Sequence, residues 1–214
     1  MRKTISIVIP VFNEEENLRE FYTRLTKVMS EVSYDYDIIF VDDGSRDASS
    51  AILYDLSQND EHVQAYLLSR NFGHQMALTC GLDHAEGDAV ITMDGDLQHP
   101  PELIPELLGL WEAGYEIVQT VRKDTADASK FKKITSSTYY KLINKMSKVH
   151  ITPGGSDFRL MDRVAIEALR LYNERARFIR GLVNNLGFKL TTLEFVAPPR
   201  FAGQSKYNLH KMLH

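Results

Sequence analysis

Four apolar runs, Ile5 to Phe12, Asp37 to Val41, His62 to Ser69 and Asp88 to Met93, are each followed by polar residues and then by a helical pattern. Short runs of this kind, rich in Val and Ile, suit strands buried on both faces, as parallel strands are. The helical patterns between them bury one face. In the first, Leu18, Phe21, Tyr22, Leu25, Val28, Met29 and Val32 recur at spacings of three and four. Asn13 stands as its expected N-cap, with Glu16 three residues on as in a capping box. Asp47 is placed to cap the second helix, which buries Ile52, Leu53 and Leu56, and Gln75 to Ala85 forms the third. Pro100-Pro101 opens a fourth, since proline is tolerated in a first turn, with Leu103, Ile104, Leu107, Leu108 and Trp111 as its buried stripe. Tyr115 to Val121 is a fifth strand. The order βαβαβαβαβ predicts an α/β fold with an open, mostly parallel sheet flanked by helices.

Open α/β sheets bind ligands at the carboxyl ends of their strands. Here those ends carry Asn13-Glu14, Asp42-Asp43, Arg70-Asn71 and Asp94-Gly95-Asp96, so polar and mostly acidic side chains converge. The second part of the chain is less regular. Residues 130–148 read as a helix with a lysine-rich face, and 151–156 as a Gly/Pro-rich loop. Asp157 to Met161 reads as a short strand, Val164 to Tyr172 and Phe178 to Leu186 as helices, and Phe188 to Val196 as a strand stopped by Pro198-Pro199.

The net charge of −4 hides an asymmetry: residues 1–121 hold 22 Asp/Glu against 7 Lys/Arg, residues 122–150 hold 8 Lys/Arg against 2 Asp/Glu, and residues 151–214 hold 10 against 5. An acidic first half can hold a cation, and a basic second half can face phosphates or an anionic membrane. Ordinary variation along a solvated surface gives the same pattern. The one cysteine, Cys80, excludes an intramolecular disulfide framework and a multi-cysteine metal site. No charge-free apolar run approaches about 18 residues, the length that spans a bilayer. No nucleic-acid partner is expected.

Asp94 and Asp96, two residues apart on a turn with Gly95, can both reach one hard cation. Mg²⁺ or Mn²⁺ takes such oxygen ligands and keeps positions open for phosphate oxygens. Alone the pair is a weak signal, because turns are rich in Asp and Gly. Asp42 can accept hydrogen bonds from a base or ribose, or can close an Asx-turn while Asp47 caps a helix. Asp157 follows Gly154-Gly155-Ser156; by itself it reads as a loop carboxylate.

Five segments together carry a resemblance: Val8-Ile-Pro-Val-Phe-Asn-Glu-Glu-Glu-Asn17, Val41-Asp-Asp-Gly-Ser-Arg-Asp47, Ser69-Arg-Asn-Phe-Gly-His74, Met93-Asp-Gly-Asp-Leu-Gln-His-Pro-Pro-Glu102 and Phe201-Ala-Gly-Gln-Ser-Lys-Tyr207. In this order they resemble glycosyltransferase family 2, and within it the polyprenyl-phosphate glycosyltransferases. The resemblance covers essentially the whole chain. It implies a GT-A fold, with residues 1–121 as a Rossmann-like nucleotide-sugar-binding half and 122–214 as an acceptor-facing, membrane-facing half. It implies an inverting transfer of a sugar from a nucleoside diphosphate, with UDP favoured, to a polyprenyl phosphate. The alternative is a soluble enzyme of the same family acting on a saccharide hydroxyl.

Carried over by position, Pro10, Phe12, Glu14, Asp42, Asp43 and Asn71 border the donor nucleotide. Asp94, Asp96 and Gln98 hold Mg²⁺ or Mn²⁺ and the diphosphate. Asp157 and Asp96 carry catalysis, Lys206 closes over the phosphates, and Arg122 and Arg200 contact the acceptor phosphate. A lipid phosphate is already anionic near neutral pH and needs no strong base. Asp157 is therefore read as orienting or electrostatically tuning the site. The family also implies work at the cytoplasmic face of a membrane, through an anchor beyond residue 214 or in another chain, and a homo-oligomer is open.

Three rivals fit less well. A haloacid-dehalogenase phosphatase places its Asp-x-Asp near the N-terminus. A receiver domain needs an Asp in the third strand, and His62 to Ser69 has none. A dinucleotide-binding dehydrogenase needs Gly-x-Gly-x-x-Gly after the first strand, which is lacking.

Overall fold

The computed structural model describes residues 2–123, 155–172, 174 and 177–198. The first half alternates as its sequence predicts: β1 (Thr4–Val11), α1 (Leu18–Glu31), β2 (Asp35–Asp42), α2 (Ser49–Asn59), β3 (Val63–Leu67), α3 (His74–His84) and β4 (Ala89–Thr92). A 3₁₀ turn over Pro101–Leu103 leads into α4 (Ile104–Glu112), and β5 (Ile117–Arg122) follows. The second half adds β6 (Gly155–Asp162), α5 (Arg163–Arg170), α6 (Ile179–Asn185) and β7 (Leu190–Phe195). The lysine-rich helix expected at 130–148 lies outside the described residues.

One seven-stranded sheet runs through both halves in the order β3-β2-β1-β4-β6-β5-β7. All its pairings are parallel except the two made by β6, which runs antiparallel to β4 and β5. β6 begins earlier than expected: Gly155 and Ser156 belong to the strand, because β5 pairs with it as far as Gly155. Its reversed direction places its first residues at the edge where β1, β2 and β4 end. Thr92 pairs with Arg159, which carries Asp157 past the end of β4 toward Asp94.

Each face of the sheet has its own apolar layer. α1 packs Leu18, Phe21, Leu25, Val28 and Met29 against Ile5, Ile7, Ile9, Ile38 and Phe40, with Phe21 and Phe40 edge to face at 6.5 Å. On the other side α3 and α5 set Ala77, Leu78, Leu82, Ile166 and Leu169 against Val8, Ile39, Val90 and Met161. Each fully buried Leu, Ile or Phe contributes about 1.5–3 kcal/mol, so these layers hold the strand ends in place.

The capping box expected at Asn13 and Glu16 does not form. α1 starts at Leu18 with Asn17 at its N-cap position, and Asn13 adopts a left-handed φ of 53°. Asn13 instead ties two loops together: its N–H donates to Ser45 Oγ at 2.9 Å, and its Oδ1 accepts from the Arg46 N–H at 2.7 Å. Glu14 N–H donates to Ser49 Oγ, Glu15 N–H to Asp47, and Ala48 N–H to the Glu15 carboxylate. Asp47 does serve the start of α2, accepting from Ser49 N–H at 3.0 Å, but from one residue before the N-cap.

Candidate active site

Two sites form along the edge where the strands end. The first is a cavity of about 360 Å³ at the carboxyl ends of β1, β2 and β3, lined by Phe12, Asp42, Ser45, Ser50, Arg70, Asn71 and neighbours. Phe12, Asp42 and Asn71, which the resemblance places at the donor nucleotide, line this cavity. Asp42 is buried, and its carboxylate accepts from the Ser45 N–H at 3.0 Å and from the hydroxyls of Ser45 and Ser50. These bonds fix its orientation while it faces the cavity. Pro10, Glu14 and Asp43 do not line the cavity. Pro10 sits within β1 beside Val41, and the Glu14 carboxylate accepts from Asn17 Nδ2 at 2.6 Å.

Asp43 braces the neighbouring loop instead. Its two oxygens accept from the N–H groups of Phe72 at 2.7 Å and Gly73 at 2.9 Å. Gly44 makes this approach possible, since its φ is +69° and a Cβ there would lie 2.5 Å from the backbone of Arg70. The second acidic residue therefore shapes the wall that the first one faces.

The second site lies after β4. Asp94 and Asp96 follow the strand on a turn where Leu97, buried, takes a φ of +62°. A non-glycine residue there costs on the order of 1–3 kcal/mol and persists only where the surroundings enforce it. The Gln98 N–H donates to Asp96 Oδ1 at 3.1 Å. The Asp94 N–H donates to His99 Nδ1 at 2.8 Å, which assigns the proton to His99 Nε2, and that nitrogen lies 2.7 Å from Ser156 Oγ. The side chain of Asp94 is 37% exposed.

Among the described residues no group of three or more His, Cys, Asp or Glu side chains could hold a metal ion alone. Two half-exposed carboxylates and a Gln amide nevertheless fit the metal expected here. Mg²⁺ and Mn²⁺ bind through one or two carboxylates and complete their shells with water and phosphate oxygens.

Asp157 stands beside this turn at 6% exposure, between two guanidiniums and an imidazole. Arg159 Nη2 lies 2.8 Å from Oδ1, Arg180 Nη2 2.8 Å from Oδ2, and His74 Nε2 3.3 Å from Oδ2. His74 also reaches toward Asp94 Oδ1, at 3.8 Å. Burial opposes ionisation of Asp157, but the His74 hydrogen bond and the charges of Arg159 and Arg180 outweigh it, holding this carboxyl well below the usual carboxylate range. Burial likewise lowers His74, and its bond to Asp157 with the nearby Asp94 charge turns the balance upward. Burial pulls Arg159 down to about 10, against the pull of Asp157, so it stays charged near neutrality.

His74, His99, Arg159 and Arg180 were not singled out from the sequence. His74 and His99 lie within the quoted segments, and Arg159 had a readable signal. It interrupts an apolar strand two residues after Asp157, so alternation puts both side chains on one face. Arg180 had none, because its partner is set by how α6 docks. Arg122 is exposed at the end of β5. Lys206 and Arg200 lie outside the described residues.

Residues 6–170 match the family model described as Glycosyl transferase family 2. The chain is 45% identical over 208 residues to the uncharacterized glycosyltransferase YkcC of Bacillus subtilis (strain 168), covering 97% of this chain and 64% of that protein. It thus spans just under two thirds of that relative's length. It is 41% identical over 208 residues to the bactoprenol glucosyl transferase of Shigella phage SfV, covering 97% and 68%. Its fold is similar to that of glucosyl-3-phosphoglycerate synthase from Mycobacterium tuberculosis in complex with Mn²⁺, UDP and glucosyl-3-phosphoglycerate. There the TM-score is 0.65 at 15% identity, over 98% of this chain and 75% of that one. The architecture is the GT-A type expected from the sequence.

Proposed function

The chain belongs to glycosyl transferase family 2, and from that membership we propose that it passes a sugar, with inversion, from a UDP-sugar to a polyprenyl phosphate at the cytoplasmic face of a membrane. The cavity at the ends of β1 to β3, with Phe12, Asp42 and Asn71, takes the nucleotide, and Asp43 holds its wall. A phosphate oxygen of the acceptor attacks the anomeric carbon from the face opposite the leaving group. The bond from that carbon to the diphosphate breaks, UDP departs with the electron pair, and a polyprenyl phosphate sugar forms. A divalent cation held by Asp94 and Asp96, with Gln98 beside them, would neutralise the charge growing on the departing diphosphate.

The observation that carries the lipid-phosphate reading is the state of Asp157. A general base must accept a proton during the reaction, and this carboxylate is clamped by two guanidiniums and an imidazole that all favour its ionised form. Such a group suits an acceptor that arrives already ionised. A saccharide hydroxyl would need its proton removed, which disfavours the alternative acceptor.

The test is a thermal-shift titration with UDP, GDP, UDP-glucose, UDP-N-acetylglucosamine and GDP-mannose, each with Mn²⁺ and with EDTA. A ligand at about a hundred times its Kd stabilises by roughly 2.7 kcal/mol. The expected result is a Mn²⁺-dependent shift with uridine nucleotides that disappears in Asp96→Asn. A shift only with guanosine nucleotides would reject the donor assignment, and an EDTA-insensitive shift would reject the metal. Sugar transfer to a saccharide but not to a polyprenyl phosphate would reject the acceptor.

A further inference from the structure

β4 stops pairing just before the turn that carries Asp94 and Asp96. Its last ladder contact with β6 joins Thr92 to Arg159, and the Met93 N–H donates to the Val8 carbonyl at 3.1 Å. Carried on in the same register, Asp94 would stand directly opposite Asp157, and like charges so placed are destabilising. A side chain takes over where the ladder ends. The Asp94 N–H donates to His99 Nδ1 at 2.8 Å, so the turn closes on itself five residues on. The strained backbone of Leu97, at a φ of 62°, lies inside that closure.

His99 is itself anchored on β6. It is 8% exposed, and its ring stacks on Phe158 at 5.3 Å and meets Phe195 edge to face at 6.1 Å. With Nδ1 accepting, the ring proton is on Nε2, which donates to Ser156 Oγ at 2.7 Å. Ser156 is held in turn. Its Oγ accepts from the Phe158 N–H at 3.0 Å, and its carbonyl accepts from Gln119 Nε2 and, at 3.0 Å, from Arg159 Nη2. Ser156 directly precedes Asp157, whose own carbonyl accepts from the Thr92 hydroxyl. One imidazole therefore joins the backbone of the turn to the residue beside the buried carboxylate, with a hydrogen bond at each end.

A cation held through one or two carboxylates needs those carboxylates set before it arrives. The Asp94 side chain is 37% exposed, so its placement depends on the backbone that carries it rather than on burial. That backbone is what His99 fixes.

We infer that His99 is a positioning residue. Through Nδ1 it sets the turn that presents Asp94 and Asp96 to the cation, and through Nε2 it ties that turn to β6, at a fixed offset from Asp157. It acts through Asp94 and Ser156 rather than on the substrates. The inference rests on the metal reading above and names the residue that pre-forms that site.

The experiment titrates Mn²⁺ in the presence of UDP, against UDP alone, into wild type, His99→Phe, His99→Asn and Ser156→Ala. Free Mn²⁺ is followed by electron paramagnetic resonance, with melting temperature and the Kd for uridine, which has no diphosphate, measured alongside. His99→Phe keeps an aromatic ring between Phe158 and Phe195 but loses both hydrogen bonds. It is expected to bind Mn²⁺ about tenfold more weakly, as loss of outer-shell support does, while its Kd for uridine stays within about twofold. His99→Asn sets Oδ1 where Nδ1 stands, so it keeps the acceptor for Asp94 and gives up the ring. It should melt lower than His99→Phe yet bind Mn²⁺ more tightly, whereas a general packing role would rank the two the other way. Ser156→Ala should weaken Mn²⁺ about threefold, as loss of one hydrogen bond does, and wild-type affinity there would overturn the link to β6. Wild-type Mn²⁺ affinity in a folded His99→Phe overturns the inference, as does a His99→Asn no tighter than His99→Phe. If His99→Phe does not fold, a tenfold loss in His99→Asn overturns it. A wild type that takes up no Mn²⁺ beyond UDP alone overturns the metal reading and this inference with it, whereas the variant outcomes leave the metal reading standing.

Discussion

Asp157, proposed above to tune the reaction, also carries a structural charge. It is 6% exposed, yet both of its oxygens lie 2.8 Å from a guanidinium, and one of those guanidiniums is fully buried. Removing its charge leaves Arg159 buried and uncompensated, a change that costs about 3–5 kcal/mol in comparable buried pairs. Asp157→Asn is therefore expected to lower stability by about that amount in urea denaturation, and a loss below about 1 kcal/mol would show that Arg159 finds another partner. The pH dependence carries the same signature. The folded carboxyl is held below its unfolded value of about 3.9. Its stabilisation is complete above that value and is lost as pH falls below it toward the folded value. Wild type should lose stability through that acid range more steeply than Asp157→Asn. Asp157 and the Asp94/Asp96 pair were legible through the family resemblance, since alone Asp157 reads as a loop carboxylate and the pair as a turn rich in Asp and Gly. The sequence did not make the whole clamp legible: Arg159 shares the strand of Asp157, but His74 and Arg180 come from two helices and reach it only through packing.

At the scale of elements, the seating of α3 on the sheet decides where His74 stands. Gly81 makes that seating close: a Cβ there would lie 2.3 Å from Val8 Cγ1, a fully buried and stiff side chain of β1. Alanine in a helix interior gains about 0.5–1 kcal/mol over glycine. Overpacking a rigid contact costs typically 1–3 kcal/mol, so the clash wins. Gly81→Ala should lower the melting temperature and weaken UDP binding by less than it lowers stability, since α3 shifts without unfolding the cavity wall. An unchanged or raised melting temperature would show that α3 has room to move. Strands and helices were readable to within a few residues because their apolar periodicity is local. The direction of β6 was not, since periodicity is the same for parallel and antiparallel strands. The start of α1 was misread for a related reason. Asn13 is a good capping residue by type, but it is drawn instead into bonds with Ser45 and Arg46 across the neighbouring loop. Local preference lost to a tertiary contact that only the folded sheet supplies.

Over the whole molecule, charge is divided along the chain. The 22 acidic side chains of residues 1–121 include Asp42, Asp43, Asp94 and Asp96, which stand on the edge proposed to receive the donor. The 8 Lys/Arg of residues 122–150 follow directly from β5, which ends at this same edge with Arg122 exposed. The proposed acceptor, with its tail in a bilayer, must be met at the membrane surface, where a basic segment of the chain has a physical use. Each Lys or Arg close to an anionic leaflet contributes about 1 kcal/mol. Three such contacts would give roughly a hundredfold preference for anionic over neutral vesicles. The contact is electrostatic, and the screening length falls from about 10 Å at 0.1 M salt to about 3 Å at 1 M. Sedimentation with phosphatidylserine-containing vesicles should therefore show binding at low salt that is lost at high salt, with little binding to phosphatidylcholine alone. The same donor affinity in the presence and absence of vesicles would show that the basic segment and the proposed nucleotide cavity act separately. Binding that ignores salt, or no binding to anionic vesicles at all, would remove the membrane role proposed for residues 122–150.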